Sequence, residues 1–436
     1  MRDNWKIVQF EKLGHTFGGL TNKTADDFGE GKPYIPYLNI FENGKIDPDY
    51  LEYVKIKSSE RQNKVQFGDL FFTTSSETPH EVGMTSVLLS DLGEAYLNSF
   101  CFGFRLQNFE DLSPEFASYL FRGNEVRKTI SDLAQGSTRY NLSKGILFDK
   151  LYLNLPPLPQ QRKIALILST CDTVIAKIEE SIAKYQAIKQ GMMHDLFTRG
   201  IDLSTGKLRP KYQDAPELYK ESELGMIPKD WEVNELDKIT SLITDGAHFS
   251  PVPQEKGMPI GNVKDMTSSG FKYETCTRIL PEVFNLLARQ NCSPKNGDVL
   301  LSKDGTIGRV IYFTDERPIV LLSSIAIIRS NESVHPLFLA NALESEYFDK
   351  SLYALLSGSA LKRITLKDIQ KIKIVVPKNI KEQKLFNKSI SSITKKLSVE
   401  KANLLKHVKL KSGLMQDLLS GKVEVSVSKE EKIINA

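Results

Sequence analysis

The chain has 436 residues, 40% apolar and 26% charged, and its 58 Lys and Arg exceed its 54 Asp and Glu by four. That is the make-up of an ordinary globular protein of two to four domains at roughly 100 to 200 residues each. No apolar run approaches the ~18 residues that span a bilayer and Met1-Arg-Asp-Asn-Trp5 has no secretory core, so the expected location is the cytoplasm, and so small a basic excess permits a nucleic-acid partner without requiring one.

In chain order, Trp5-Lys-Ile-Val opens a first globule (1–156) of short strands broken by turn residues, of which Asp69-Leu-Phe-Phe-Thr73 is typical. Ser113-Pro114 signals a helix, because proline suits a first helical turn. Gly136-Ser-Thr-Arg-Tyr140 then reads as a turn into a last strand that stops at Leu155-Pro-Pro-Leu-Pro159. A long helix follows (157–200, its core about 160 to 197). Its residues Ile164, Leu168, Cys171, Ile175, Ile178, Ile182 and Tyr185 alternate by four and three, the seam of a coiled coil.

Pro210, Pro216 and Pro228 with Gly206 and Gly225 mark 201–229 as a linker. Trp231-Glu-Val then opens a second globule (230–377), with Asp298-Val-Leu-Leu-Ser302 as a strand and His335-Pro336 as a helix start. Gly358-Ser-Ala-Leu361 reads as a turn, and the last strand ends at Val375-Val-Pro377. A second long helix (378–422) carries Phe386, Ile390, Ile393, Leu397, Leu404, Leu414 and Leu418. Glu400 and His407 interrupt that seam, which loosens it, pairs with a partner or marks a local change of register. A loose tail (423–436) closes the chain.

The chain repeats itself. Adding 222 takes Pro114 and Phe116 to Pro336 and Phe338, Leu133 to Leu355, Gly136-Ser137 to Gly358-Ser359 and Gln161 to Gln383. The same step takes Gly191, Met193, Asp195 and Leu196 to Gly413, Met415, Asp417 and Leu418. Upstream the match persists with small insertions: Gly68-Asp69-Leu70-Phe71 corresponds to Gly297-Asp298-Val299-Leu300, and Pro36 and Asn39 to Pro259 and Asn262. The front halves have diverged and the back halves have not. Two units are too few for a solenoid.

The expected fold class is α+β: two repeated globules separated by two long helices that pack as an antiparallel coiled coil. A helix with one apolar stripe cannot bury it alone, and Ile164, Leu168, Ile175 and Ile182 have counterparts in Phe386, Ile390, Leu397 and Leu404. The alternative is that each helix folds back on its own globule. About 36 residues at 1.5 Å each span roughly 54 Å, on the order of one to one and a half turns of duplex DNA.

Catalytic signatures are missing. The only Pro-Pro pair, Pro156-Pro157, is a boundary and not a methyltransferase active site, and Gly19-Leu-Thr-Asn-Lys23-Thr24 lacks the glycine before lysine that a phosphate cradle needs. Pro48-Asp49 with Glu52 and Lys55 has the wrong spacing for a nuclease and reads as a solvated turn. Cys101, Cys171, Cys276 and Cys292 never pair closely and the six histidines are dispersed. Buried reduced thiols are therefore expected, with no disulfide, no metal site and no catalytic residue.

The run Leu155-Pro-Pro-Leu-Pro-Gln160-Gln161-Arg-Lys-Ile164, the helix end Met193-His-Asp-Leu-Phe-Thr-Arg-Gly-Ile201 and the reopening Leu224-Gly-Met-Ile-Pro228-Lys-Asp-Trp231-Glu resemble the specificity subunit of a Type I restriction–modification system. The resemblance covers nearly the whole chain. It implies two target-recognition domains, each reading half of a split DNA site, on helices that dock two methyltransferase subunits and restriction (translocase) subunits. S-adenosylmethionine, ATP and Mg²⁺ would belong to those partners and no cofactor to this chain. The second boundary, Val376-Pro-Lys-Asn-Ile-Lys-Glu-Gln383, lacks the double proline, which implies a softer joint.

Candidate DNA contacts are polar loop residues near turn signals: Thr21, Asn22, Lys23, Thr74, Ser75, Ser76, Thr138, Arg139 and Tyr140 in the first globule. In the second they are His248, Ser250, Lys303, Thr306, Arg309, Lys362 and Arg363. Asp245-Gly-Ala-His248 and Lys303-Asp-Gly-Thr-Ile-Gly308 have the stronger claim, since glycine lets a turn approach a phosphate closely. Each such residue has solvated surface as its alternative. A free-standing DNA-binding regulator and a scaffold without DNA are the competing functions; the scaffold gives no reason for paired globules whose loop-bearing halves diverge.

Overall fold

The two apolar runs that follow a Gly-Asp turn, Leu70–Thr73 and Val299–Ser302, are buried along their whole length, as a run without polar alternation must be. Each is an inner strand of a four-stranded antiparallel sheet. The first sheet runs Gly14–Gly18, Cys101–Leu106, Leu70–Thr73, Thr85–Val87; the second runs Thr240–Asp245, Ile325–Ser330, Val299–Ser302, Val310–Tyr312. A three-stranded sheet accompanies each, with Phe28–Ile35 or Met258–Gly261 at its centre, one antiparallel and one parallel neighbour. The topology is thus duplicated even where the sequences have drifted apart.

This computed structural model describes residues 4–267, 270–356 and 364–427. The chain forms two units, residues 1–180 with 402–436 and residues 181–401, so each long helix contributes to both. In each unit the opening strand closes the globule against the last one: Lys6–Gln9 pairs with Tyr152–Leu155, and Trp231–Glu235 with Lys373–Pro377. The Gly136–Tyr140 turn, expected to lead straight into that last strand, instead passes through a short helix, Lys144–Lys150; the second unit has one at Leu366–Gln370, and the turn expected at Gly358–Leu361 lies outside the described residues.

The cores solve one packing problem with different residues. Phe10, Phe72, Phe102, Phe104 and Phe121 are fully buried in the first unit, with Phe10 and Phe104 centroids 4.2 Å apart and Phe72 stacked on Phe102 at 5.1 Å. The second unit uses Val299, Leu301, Ala326, Ile328 and Ile374. At roughly 1.5–3 kcal/mol for each large side chain removed from water, either set suffices to hold a sheet against its helices.

The long helices are Leu158–Arg199 and Ile380–Leu419. In the first unit Ile164, Ala165 and Leu168 share a core with Leu418 and Leu419, and Lys411 Nζ lies 2.5 Å from Asp172 Oδ1. In the second, Phe386 and Ile390 share a core with Met193, Leu196 and Phe197, and the Phe197 and Phe386 rings are 4.6 Å apart. The start of one helix meets the end of the other in each case, which is antiparallel packing. The seam is strongest there: Ile175, Ile182 and Leu404 are only half-buried, while Leu397 is buried. Cys171 is half-buried as well, unlike the other three thiols.

The second boundary, where a softer joint is expected, makes the same kind of hydrogen bonds as the first. Gln383 Oε1 accepts the His335 N–H at 2.7 Å and its Nε2 donates to Ser333 and Pro377 carbonyls at 3.1 and 3.0 Å. Gln161 does the same with Ser113, Asp111 and Pro156 at 2.9, 2.8 and 2.9 Å.

The 201–229 connection, expected as a linker, carries two hairpins, Ile201–Asp202 with Lys207–Leu208 and Tyr219–Ser222 with Gly225–Pro228. Arg209 ties it down, with Nη1 2.6 Å from the buried Glu382 Oε1 and Nη2 2.7 Å from Asp230. Glu382 Oε1 also accepts from Ile201 N–H at 2.7 Å and from Trp231 Nε1 at 3.1 Å. Gly200, at φ +66°, ends the first long helix beside this cluster, where a Cβ would fall 2.3 Å from Arg209 Nη1.

Candidate nucleic-acid interface

Each globule lays one glycine-containing segment against a neighbouring strand end. Leu20 N–H donates to Leu97 O at 2.8 Å, and Ala247 N–H to Leu321 O at 2.8 Å. A Cβ on Gly19 or Gly246 would stand 2.0 Å from the Asn98 or Leu321 carbonyl oxygen, so only glycine allows this approach. The candidates that follow each glycine, Thr21 and Asn22 in one unit and His248 and Ser250 in the other, are exposed. They occupy equivalent places.

In the first unit Thr74 borders the same strand end, its Oγ1 donating to Phe100 O at 2.9 Å. Residues 74–76 and 138–140, distant in sequence, are joined: Ser75 and Ser76 pair with Asn141 and Tyr140 as a two-stranded ribbon, and Arg139 Nη2 reaches Ser75 Oγ at 3.1 Å. Thr138 and Arg139 are exposed beside it. Tyr37 supports the ribbon from beneath, its hydroxyl donating to Ser75 O at 3.0 Å, and burial pushes that phenol up from its ordinary pKa. Glu81, bonded by Thr78 and Ser76, is held below the usual carboxylate range.

Lys23 does not serve as a free cation. Its side chain is 3% exposed, with Nζ 2.5 Å from both Glu60 Oε2 and Lys55 O. Lys303 is spent in the same way, 3% exposed with Nζ 3.1 Å from Asp245 Oδ2. Arg309 also turns inward, donating to Met266 O at 2.8 Å, and lines a different concavity with Lys264, Thr267 and Lys272. Thr306 is exposed on the loop whose carbonyl at that residue accepts from Ser302 Oγ at 2.5 Å. Buried cations with acidic partners are supports for the loops rather than their tips, because an unpaired charge cannot be buried cheaply. Lys362 and Arg363 lie outside the described residues.

Residues not anticipated from sequence join these sites. Gln62 clasps Thr21, donating to its carbonyl at 2.9 Å and accepting its N–H at 3.1 Å, and Asn63 donates to Gly18 O at 3.0 Å. They pin a basic loop bearing exposed Lys57 and Arg61 next to the glycine segment. Phe100 and Phe249 are 64% and 50% exposed at the equivalent edges. Hydropathy assigns such rings to a core, so no sequence signal marked them. Among the described residues no group of three or more His, Cys, Asp or Glu could hold a metal ion, and no helix is long and apolar enough to cross a membrane.

A family profile described as a Type I restriction modification DNA specificity domain matches residues 2–190 and again 228–410. The chain belongs to this family. The specificity subunit is 29% identical over 315 residues to the Type I restriction enzyme MjaVIII specificity subunit of Methanocaldococcus jannaschii, covering 70% of each chain. It is 26% identical over 429 residues to the putative type I restriction enzyme MjaX specificity subunit of the same organism, covering 97% and 94% of the two chains. Among solved structures, the S subunit of a Type-I restriction-modification system from M. genitalium matches its fold with a TM-score of 0.55 at 16% identity, covering 97% of each chain. The two profile matches coincide with the two copies of the sheet pair seen in this specificity subunit.

Proposed function

We propose that this specificity subunit reads a bipartite, asymmetric DNA site, one half-site per unit, and directs partner subunits to it without catalysing a reaction itself. The observation that carries this reading is that both units present exposed polar residues on equivalent edges: Thr21, Asn22 and Arg139, the last bonded to the half-buried Ser75, in one, and His248, Ser250 and Thr306 in the other. Unlike residues on like scaffolds are what two different half-sites require, since base edges are read by side-chain identity while the backbone sets register.

The long helices would dock two methyltransferase subunits and the restriction subunits, which would bring S-adenosylmethionine, ATP and Mg²⁺. Leu166, Ile188, Val399, Leu405, Val408 and Leu410 are 41–65% exposed on those helices, an apolar surface suited to protein partners.

The test is genome-wide mapping of methylated bases in cells expressing the chain with its neighbouring methyltransferase, against cells lacking the chain alone. Two short defined blocks around a gap, losing methylation only without the chain, are the expected outcome. Unchanged methylation would overturn the reading in favour of a free-standing regulator.

A further inference from the structure

Asp245 ends the strand Thr240–Asp245 and is 5% exposed, and its carboxylate faces the Lys303 ammonium and the His248 imidazole. Its Oδ2 lies 3.1 Å from Lys303 Nζ, and its Oδ1 3.0 Å from His248 Nε2. The Lys303 backbone is itself held, its N–H donating to Ser324 O at 2.9 Å. A carboxylate facing an ammonium accepts hydrogen bonds and donates none, so the His248 proton sits on Nε2. In the neutral ring Nδ1 is then a bare acceptor. The His248 side chain is 70% exposed, and among the described residues Nδ1 has no partner.

We propose that His248 is a base-reading residue of the second unit, presenting Nδ1 to an exocyclic amino group, adenine N6 or cytosine N4, in the major groove, with Asp245 and Lys303 as its positioning residues. This rests on the DNA-reading function proposed above. Base rather than phosphate is favoured by the surroundings. The concavity beside His248 is lined by Asn262, Ser323, Ser324 and the carboxylate of Asp304, a wall rich in acceptors that repels phosphate and complements amino donors. The half-exposed Phe249 ring at its rim adds an apolar face and no positive charge.

Among its described residues the first unit has no such device. Thr74, whose N–H donates to Phe100 O at 3.3 Å, stands where Lys303 does, and Gly18, just before Gly19, stands where Asp245 does. Its half-site is therefore an internal control for folding and assembly.

The experiment uses the full chain assembled with its methyltransferase partners and a randomised DNA library, read out by binding and by methylation. H248A should relax preference at one base pair of one half-site by about fivefold or more and leave the other half-site unchanged. D245N/K303M, which removes both charges of the pair together, should relax the same base pair, and H248A should add nothing on that background. Imidazole ¹⁵N spectra should show the Nε2–H tautomer at His248 in the wild type and a mixture in D245N/K303M.

A motif unchanged by H248A, in cells where deleting the chain still abolishes methylation, overturns this inference and leaves the DNA-reading function standing. A uniform loss of affinity with a salt slope reduced by about one would mean a phosphate contact and also overturns it. Full additivity of H248A on the D245N/K303M background overturns the positioning role. Absence of any chain-dependent methylation would remove the function on which the inference rests.

Discussion

Gln161 and Gln383 stand 222 positions apart and make the same three hydrogen bonds, each accepting one helix-entry N–H and donating to two carbonyls that flank it. Each side chain is buried, so no water replaces a lost partner. Q161L or Q383L would strand three backbone groups and is expected to cost about 2–4 kcal/mol, with similar losses for the two despite their different proline contexts. Denaturant unfolding of the full chain checks this; a cost under about 0.5 kcal/mol at Gln383 alone would show that its joint is the weaker one.

A second duplicated pair concerns charge. Asp298, 1% exposed, is gripped by Arg329 through Nε at 2.7 Å and Nη2 at 2.8 Å, as Asp69 is by Arg105 at 2.9 and 2.7 Å. The Asp298 hydrogen bond raises the Arg329 pKa. R329M leaves a buried carboxylate without its cation and should cost about 3–5 kcal/mol. The double variant D298N/R329M should cost clearly less than the sum of the single changes, because the penalty lies in the orphaned charge.

His335 caps the helix Pro336–Ala342 with Nδ1, which lies 3.3 Å from the Leu337 nitrogen and 3.1 Å from Asn387 Nδ2, and so must be unprotonated. Burial, then the nearby Lys384 charge, lowers its pKa. Because the folded value is depressed, the unfolded chain binds the proton first. The stabilisation is complete above the unfolded pKa of about 6.5 and is lost as pH falls from there through the folded value. H335S, which places at this cap the residue type of Ser113, should flatten that slope. Melting temperatures at about pH 7.5 and pH 5.5, wild type against variant, give the answer.

Asp172 gathers Tyr119, Lys45 and Lys411 around one carboxylate, with the Tyr119 hydroxyl at 2.5 Å and the two ammonium groups at 3.5 and 2.5 Å. Burial opposes its ionisation, but the Lys411 and Tyr119 hydrogen bonds and both lysine charges outweigh that and lower its pKa. The site is a third open to solvent, so D172N should cost only about 1 kcal/mol at neutral pH. A depressed carboxylate stabilises above its unfolded pKa and stops doing so as pH falls through the folded value. Wild type and D172N should therefore begin to converge as pH falls below the ordinary aspartate value of about 3.8 and meet only below the depressed folded value, measured as unfolding free energies at neutral and at acid pH.

Much of the architecture was legible because it is written in local pattern. The helix starts at Ser113-Pro114 and His335-Pro336, the two long amphipathic helices and the buried runs after Gly68-Asp69 and Gly297-Asp298 follow from periodicity and capping. The site was legible in part. Turn residues marked Thr21, Arg139, His248 and Thr306 as loop positions, and all four are exposed. Residue type alone could not separate Lys23 and Lys303 from surface lysines, since their burial depends on Glu60 and Asp245, 37 and 58 positions away in sequence.

By itself, then, the sequence determined the duplication, the α+β class and the pairing of like helices, because a repeated pattern of apolar and capping residues carries its local geometry with it. Tertiary structure decided what depends on distant chain segments meeting. It set Ser75 against Asn141, anchored the 201–229 connection on Glu382 through Arg209, and turned Lys303 from an exposed-looking cation into the buried partner of Asp245. The physical reason is that hydrogen bonds and ion pairs are short-ranged and strengthened by burial, and burial is a property of the folded chain, not of any window of its sequence.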